Sequence, residues 1–599
     1  MKTALSLAFL SIIGFALFAQ TGFIQVTAQP NEDVILRAMR EEMERSRMLR
    51  ATGLDMPYFI EYKVEDQESY AVGASLGGIL TARMIHLRVP AVQVRVGSYD
   101  LDNTNHLYTG VSGGARYDQE TWPLDDNLAA FRQNLWLATD RAYKSAVEGF
   151  SIKKEILKQT NVTDPQPDFY RAQPVVKVEN GKRSPIDTDV WKPRIARISA
   201  VFAGYPEVMT SGAELDALAS MSYYMNSEGS QLRYPDTLTT VRIRAATQAP
   251  DGMELRDATA HVSFAASKMA PEAELVASAK QVAENLRALV KAPVGEAYSG
   301  PVLLEPMASA QLMGYLLGEN IRLPRKPLAE AGRSVPFATS EFDGKLGSRV
   351  LPDWFDVVDD PTQTEFRGHT LIGYYRIDND GVSPKPVSVI EQGILKDYLR
   401  SRLPIKGFQE SNGHGRLMAG FGANLPVIGN LFIRARQTKK MAELKQQLIA
   451  TIQQRNKPYG ILIRKLDYPS TASYGELQSM ITSMVQSGGG GRPVPYPTLV
   501  YKVYPDGREE LVRGVRLRGV STRSLRDIMA ASEETAFFDF INDSGPFAMM
   551  GTQGYLAAAT VVAPGVLFEE LELERAEGET QKVPIAPPPT FALSPLGKP

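Results

Sequence analysis

Thr239-Thr-Val-Arg-Ile-Arg-Ala245 is the stretch whose reading decides the fold class. It alternates apolar and polar residues, the period-two pattern of a half-buried strand. Within thirty residues the pattern changes, and Glu272–Lys291 reads as an amphipathic helix. The same alternation of types continues toward the N-terminus. Tyr58–Val64, Met84–Val89 and Val92–Val96 read as strands. Asp125–Leu157 is a long helix with Leu128, Phe131, Leu135, Ala138 and Ala142 on one face. Glu32–Arg50 is a charged helix with Leu36, Met39 and Met43 on its stripe and Asn31 placed as N-cap. Strand groups separated by long helices make this half α+β.

The composition shifts near Ala292–Pro301, and strands dominate beyond it. His369–Ile377 and Pro386–Ile390 are expected as strands joined across Asp378-Asn379-Asp380-Gly381, with Leu395–Leu399 following. Leu499–Tyr504 and Glu509–Leu517 flank Pro505-Asp506-Gly507, a hairpin signal. Met307–Glu319 and Lys439–Gln454 are the interrupting helices, and Gly488–Gly491 reads as a linker. The expected organisation is a signal segment over 1–28, then an N-terminal α/β domain over 29–295 with long helices and antiparallel strands. A β-rich, barrel- or sandwich-like domain over 296–583 and a Pro-rich tail over 584–599 complete it.

The 599 residues carry 66 basic and 68 acidic side chains. No basic excess exists to neutralise phosphates, so nucleic acid is not an expected partner. Cysteine is absent, which excludes disulfides, thiolate nucleophiles, Fe–S clusters and sulfur-ligated zinc. The run Ala4–Ala19 is apolar, no acid appears before Glu32, and Val26-Thr27-Ala28 precedes Gln29. This is a secretory signal with small residues at the cleavage site, and export to a periplasmic or extracellular space is expected. An uncleaved anchor is the alternative. No later segment is apolar enough to cross a bilayer, so the mature chain is expected to lack a transmembrane span.

The five histidines are His86, His106, His261, His369 and His414, none within six residues of another, so no HExxH helix can be written. His86, His106 and His261 read as structural. His369 and His414 stand in Gly-flanked loops, where functional residues concentrate. Asp353, Asp356, Asp359 and Asp360 form an acidic cluster that could hold a hard cation, although a strand end with exposed acids explains it more simply. Asp378–Gly381 lacks the Glu a calcium loop needs at its twelfth place, where Val389 stands, and reads as a turn. No G-x-S-x-G and no Walker loop occurs. Asn161-Val162-Thr163 is a sequon. His369, His414, Asp359 and Asp360 are the candidate site residues.

A longer pattern runs Gly344-Lys-Leu-Gly-Ser-Arg-Val350, Val357-Val-Asp-Asp-Pro361, Asp378-Asn-Asp-Gly-Val382 and Val389-Ile-Glu-Gln-Gly-Ile-Leu-Lys-Asp-Tyr-Leu399. Asn226-Ser-Glu-Gly229 precedes it, and Ala563-Pro-Gly-Val-Leu-Phe-Glu-Glu-Leu571 follows. Together these strings resemble the TldD/PmbA family, metallopeptidase-related proteins also called modulators of DNA gyrase. The resemblance implies an α/β domain followed by a β-rich domain, paired as a dimer around a cavity. Active members of that family hold zinc with an HExxxH helix and a cysteine.

Here the corresponding helix follows Pro301-Val-Leu-Leu304, and Met313, Gly314 and Gly318 stand at the His, Glu and His places. No histidine lies between His261 and His369, and the cysteine is missing too. The resemblance therefore implies no cofactor, no catalytic residue and no metal ligand to carry over. The partners it implies are a second copy or a zinc-bearing paralogue, with extended peptide as substrate. Two other readings stay open: an active hydrolase whose ligands are His369, His414 and an acid from Asp353–Asp360, and a stand-alone, envelope-associated binding protein.

Overall fold

The computed structural model describes residues 33–49, 55–106, 116–117, 122–160, 165–323, 325–330, 332, 339–418, 423–467, 494–543 and 556–576. The signal segment 1–28, the sequon Asn161–Thr163, the loop Gly488–Gly491 and the tail 584–599 lie outside the described residues.

Two sheets carry the molecule, one α+β layer after another. The first has seven strands in the order Arg116–Tyr117, Gly78–Val96, Pro57–Ser75, Thr210–Asn226, Gln231–Gln248 and Val176–Val178, with Glu254–Ser263 also paired to Gln231–Gln248. All pairs are antiparallel except that of the short Val176–Val178. The alternation within Pro57–Ser75 sorts its residues by parity. Ile60, Tyr62 and Val64 pack with helices α1 (Val34–Ser46) and α2 (Leu128–Gln159). Tyr70, Val72 and Ala74 continue that face against α3 (Thr188–Ala200) and α4 (Glu272–Lys291). The odd-numbered residues, polar Glu61, Lys63, Glu65 and Gln67 among them, are left for the opposite face.

Helix α1 starts at Asp33, whose carboxylate accepts the amides of Ile35 and Leu36, and not at the expected Asn31. Asp33 wins because the same carboxylate also accepts Tyr223 and Arg233 from the sheet, which fixes it in place. Asn127 caps α2 by accepting the Ala130 amide.

The second sheet has eleven strands, all from Tyr298 onward. The strand Leu556–Arg575 is its hub. It pairs with Tyr298–Leu304, Asn430–Ala435, Val515–Arg518 and Ile528–Asp543. Among the described residues the sheet does not close into a barrel. Both faces are covered. Val302 and Leu304 face α5 (Pro306–Asn320), and Leu303 faces α6 (Met441–Gln454). A strand buried on both sides must be apolar throughout, which is why Val302-Leu-Leu304 shows no alternation.

Three expected strands are revised. His369–Ile377 is a strand only over His369–Thr370, because the rest makes its backbone hydrogen bonds in turns and to side chains. Ile372 donates to the Thr560 hydroxyl, and Gly373 lies so close to Gly429 that a Cβ there would meet the Gly429 carbonyl at 2.1 Å. Leu395–Leu399 shortens to Ile394–Leu395. The strand Glu509–Leu517 breaks at Gly514 (φ 69°), so Glu509–Val512 pairs with Tyr496–Val503 while Val515–Arg518 crosses to Leu556–Arg575. Among the described residues, no helix is long and apolar enough to cross a membrane.

Candidate functional site

The structure separates the four expected site residues. His414 and Asp359 meet: His414 Nε2 lies 3.1 Å from Asp359 Oδ1, and both side chains are fully buried. The other ring nitrogen faces the backbone and side-chain oxygens of Asn412 at 3.1 and 3.0 Å. Asp359 also accepts the Gly429 amide on both oxygens. Every polar atom of this pair is engaged inside the protein. It clamps the Gly413–Met418 segment to the strand Phe355–Asp359 and offers nothing to a ligand.

His369 is elsewhere. Its Nε2 lies 2.8 Å from Asp539, and its ring stacks on Phe537. Asp360 is consumed locally by the Thr362 amide and hydroxyl and by Gln363. Asp356 pairs with Arg436 and accepts the Gln392 amide. The alternation of Phe355–Asp359 points neighbouring acids in different directions, so the acidic cluster disperses. Among the described residues, no group of three or more His, Asp and Glu side chains converges as metal ligands do.

Helix α5 is the helix that the resemblance sets at the place of the zinc helix, and its surroundings test the fit of a metal directly. Ala308, Ala310, Leu312, Met313, Leu316 and Leu317 are buried to 2% exposure or less. A Cβ added at Gly314 would lie 3.1 Å from Val561 Cγ2, and one at Gly318 would lie 3.3 Å from Ile428 Cδ1. Phe538 and Phe540 stand just behind. The volume that imidazole, carboxylate and metal need is filled with hydrocarbon. Residues of this kind do not fit zinc, and no catalytic step can be routed through this helix.

Polar chemistry survives on the other side of the hub strand. Between the odd-numbered face of the first sheet and the loops of the second lies a cavity of about 640 Å³. Strand register builds its floor. Glu65 pairs with Ser222 and Ser222 with Tyr234, while Gln67 pairs with Ser220 and Ser220 with Asp236. The Asp378–Gly381 turn forms part of the opposite wall. Asp378 accepts the amides of Asp380, Val382 and Gly415, which closes the turn and leaves this acid no free oxygen face. Gly381 (φ 78°) presses on Tyr224 so closely that a Cβ would meet the phenolic oxygen at 2.3 Å. Lys63 donates to Asn379 across the same seam. The expected chamber strands divide here, since Ile372 and Tyr374–Ile377 line the cavity and Pro386–Ile390 does not.

Its titratable groups are displaced by their surroundings. Burial pushes the Glu65 carboxyl up to about 7, against a smaller pull from the Ser222 hydroxyl. Burial raises Asp236 also, opposed by the Thr237 amide and the fields of Arg376 and Arg416. Glu65 is half-buried and Asp236 opens on the cavity's space, and the protein packed around them is what disfavours their charge. Burial lowers Arg416, whose Nη1 donates to the carbonyls of Ile428 and Ala558 and whose guanidinium lies 4.2 Å from the Tyr375 ring centroid. Sequence reasoning passed over Glu65, Asp236 and Arg416. The polar parity of Glu61, Lys63 and Glu65 was the one available signal, and it is the ordinary signature of a solvated face.

Fold and site together define a class: a two-sheet α+β protein with a metallopeptidase-type scaffold. Residues 297–495 match the family model of the PmbA/TldA metallopeptidase C-terminal domain. Through this domain the chain is related to the TldD/PmbA family. A metalloprotease of Methanocaldococcus jannaschii is 39% identical over 98 residues, 16% of this chain and 20% of that protein. One from Archaeoglobus fulgidus is 29% identical over 85 residues, 14% of this chain and 18% of its own. The match thus spans about a fifth of these curated relatives. TldE from Thermococcus kodakarensis shares the fold at a TM-score of 0.54 and 13% identity, over 90% of this chain and 100% of that one. A Thermotoga maritima protein described as a modulator of a DNA gyrase gives 0.54 and 13% over 90% and 99%.

Proposed function

We propose that this chain is an exported, zinc-free member of its family that holds extended peptide without cutting it. It works as a homodimer or beside a zinc-bearing paralogue. The observation that carries this reading is the packing of α5, where Gly314 and Gly318 meet Val561 and Ile428 at the places the family gives to ligands and base. Catalysis needs a group within reach of the reacting atoms, and at Gly314 and Gly318 the helix meets carbon alone.

The test is metal analysis and peptidase assay of the chain lacking residues 1–28, alone and mixed with a paralogue whose HExxxH helix is intact. The expected result is less than one zinc per chain after dialysis. Unfolded peptide is expected to stay whole with this chain alone and to be cut by the mixture. Stoichiometric zinc lost on His369→Ala or His414→Ala overturns the reading in favour of an unconventional hydrolase. A second reading, a stand-alone envelope-associated binding protein, draws support from the cavity. A monomer at micromolar concentration that leaves the paralogue's activity unchanged selects it. Export is tested separately, by a fusion of residues 1–40 to a reporter active outside the cytoplasm, with the mature N-terminus expected at Gln29.

A further inference from the structure

The cavity between the sheets carries the acids Glu65 and Asp236 on its floor and the guanidinium of Arg416 from the loops of the second sheet. On the floor, Glu65 spends one oxygen on the Ser222 hydroxyl, and Asp236 accepts the Thr237 amide. Neither has a cation within ion-pairing distance. On the facing wall, Arg416 places Nη1 on two backbone carbonyls and its flat face on Tyr375. No carboxylate among the described residues comes within 4.0 Å of it. Arg376, the neighbouring guanidinium, differs: it is matched by Glu179 at 3.1 Å. The cavity thus holds a half-buried guanidinium bonded to neutral acceptors, and two carboxylates that lack a direct ion pair, Glu65 half-buried and Asp236 open to its space.

Much of the remaining lining is aromatic or neutral-polar, as at Tyr224, Tyr234, Tyr374 and Gln67, with Lys63 and Lys182 also on it. The volume of about 640 Å³ sits within the range of about 300–1,000 Å³ usual for small-ligand sites. A ligand that completes both walls must carry an anion at one end and a cation at the other, with a body that can lie on tyrosine. We propose that the cavity binds a short peptide as a zwitterion, its α-carboxylate on Arg416 and its α-ammonium between Glu65 and Asp236. Charge-assisted hydrogen bonds in a deep site make the two termini the specific contacts. The tyrosines accept side chains of many shapes. This rests on the non-catalytic reading in one respect, that the peptide is held and not cut.

Calorimetric titration of the chain lacking residues 1–28 with Ala-Phe at pH 7.5 tests it, beside N-acetyl-Ala-Phe, Ala-Phe amide and free phenylalanine. Ala-Phe is expected to bind at least tenfold more tightly than any of the three. Arg416→Gln should remove that advantage over the amide, and Glu65→Gln the advantage over the acetylated peptide. Each variant should bind the correspondingly blocked peptide as the wild type does. Should Arg416→Gln not fold, Glu65→Gln and the blocked peptides decide alone. Equal binding of blocked and free peptides, tighter binding of free phenylalanine, or no heat at millimolar Ala-Phe overturns the proposal. Zinc content and peptide integrity are read on the same samples. Cleaved Ala-Phe with bound zinc overturns the non-catalytic reading, whereas an absence of binding with intact peptide overturns the cavity proposal alone.

Discussion

The two faces of the strand Leu556–Arg575 have opposite chemistry. Ala557, Ala559, Val561 and Ala563 turn toward α5 and the large apolar core. Thr560 turns the other way, bonding Asp539 and the Ile372 amide, and Ala558 opens on the cavity with Arg416 bonded to its carbonyl. One strand thus separates a face packed with hydrocarbon against α5 from a face that opens on charged groups. The apolar packing of α5 leaves the polar chemistry of the other face intact. The polar groups stand where strand parity and turn geometry place them, apart from the apolar face.

The sharpest way to break this comparison is to restore the missing motif. Met313→His, Gly314→Glu and Gly318→His together are expected to unfold the protein and to bind no zinc. Overpacking costs about 1–3 kcal/mol at each glycine, and an unpaired buried carboxylate adds about several kcal/mol more. Chemical denaturation and metal analysis check it, and a folded triple variant with one tight zinc would show that the α5 face is still a site.

The next effect concerns the seam between the halves. Arg402 is fully buried; it donates to the Tyr170 carbonyl, the Asp380 carbonyl and Glu228, and it lies 3.8 Å from the Phe169 ring centroid. Arg402→Met leaves the Glu228 carboxylate without its cation and with only the Tyr99 hydroxyl on it, so a loss of about 3–5 kcal/mol in urea unfolding is expected. A loss below about 1 kcal/mol, the range of exposed pairs, would mean the seam is not held by this group.

Glu65 gives a smaller effect with a defined sign. Its carboxyl ionises near 4.5 ordinarily and at about 7 in the fold. Between those values the folded state holds a proton that the unfolded chain has released, so this residue lowers stability as pH rises. Glu65→Gln should therefore raise Tm at pH 8 and change it little at pH 4. A Tm gain of equal size at both pH values would place the effect in packing. Smallest is His369→Gln, on the pair with Asp539 near the surface. A change of about 0–1 kcal/mol is expected, with Ala-Phe binding unaltered; a larger loss would make that loop part of the core.

Periodicity made the helices legible. Helices α2 and α4 follow stripes visible in the sequence, and α5 and α6 were bounded within a residue or two. Two central elements were not legible. Thr210–Asn226 contains Ala213-Glu-Leu-Asp-Ala-Leu-Ala219, a composition of helix formers, yet it runs as a strand between Pro57–Ser75 and Gln231–Gln248. Pairing on both edges overrides its weak local preference. Thr188–Ala200 escaped notice because Pro193 interrupts its pattern.

By itself, the sequence determined what this protein lacks and which family built it. A cysteine count and the spacing of five histidines are properties of the chain alone, and no folding can supply an absent ligand. Tertiary structure alone decided where the remaining charges meet. It buried His414 on Asp359 and dispersed the acids of 353–360. It set Glu65 and Asp236 across from Arg416, residues separated by 351 and 180 positions along the chain. Such meetings depend on strand register and on the packing of one sheet's loops over another, and neither leaves a local pattern to read.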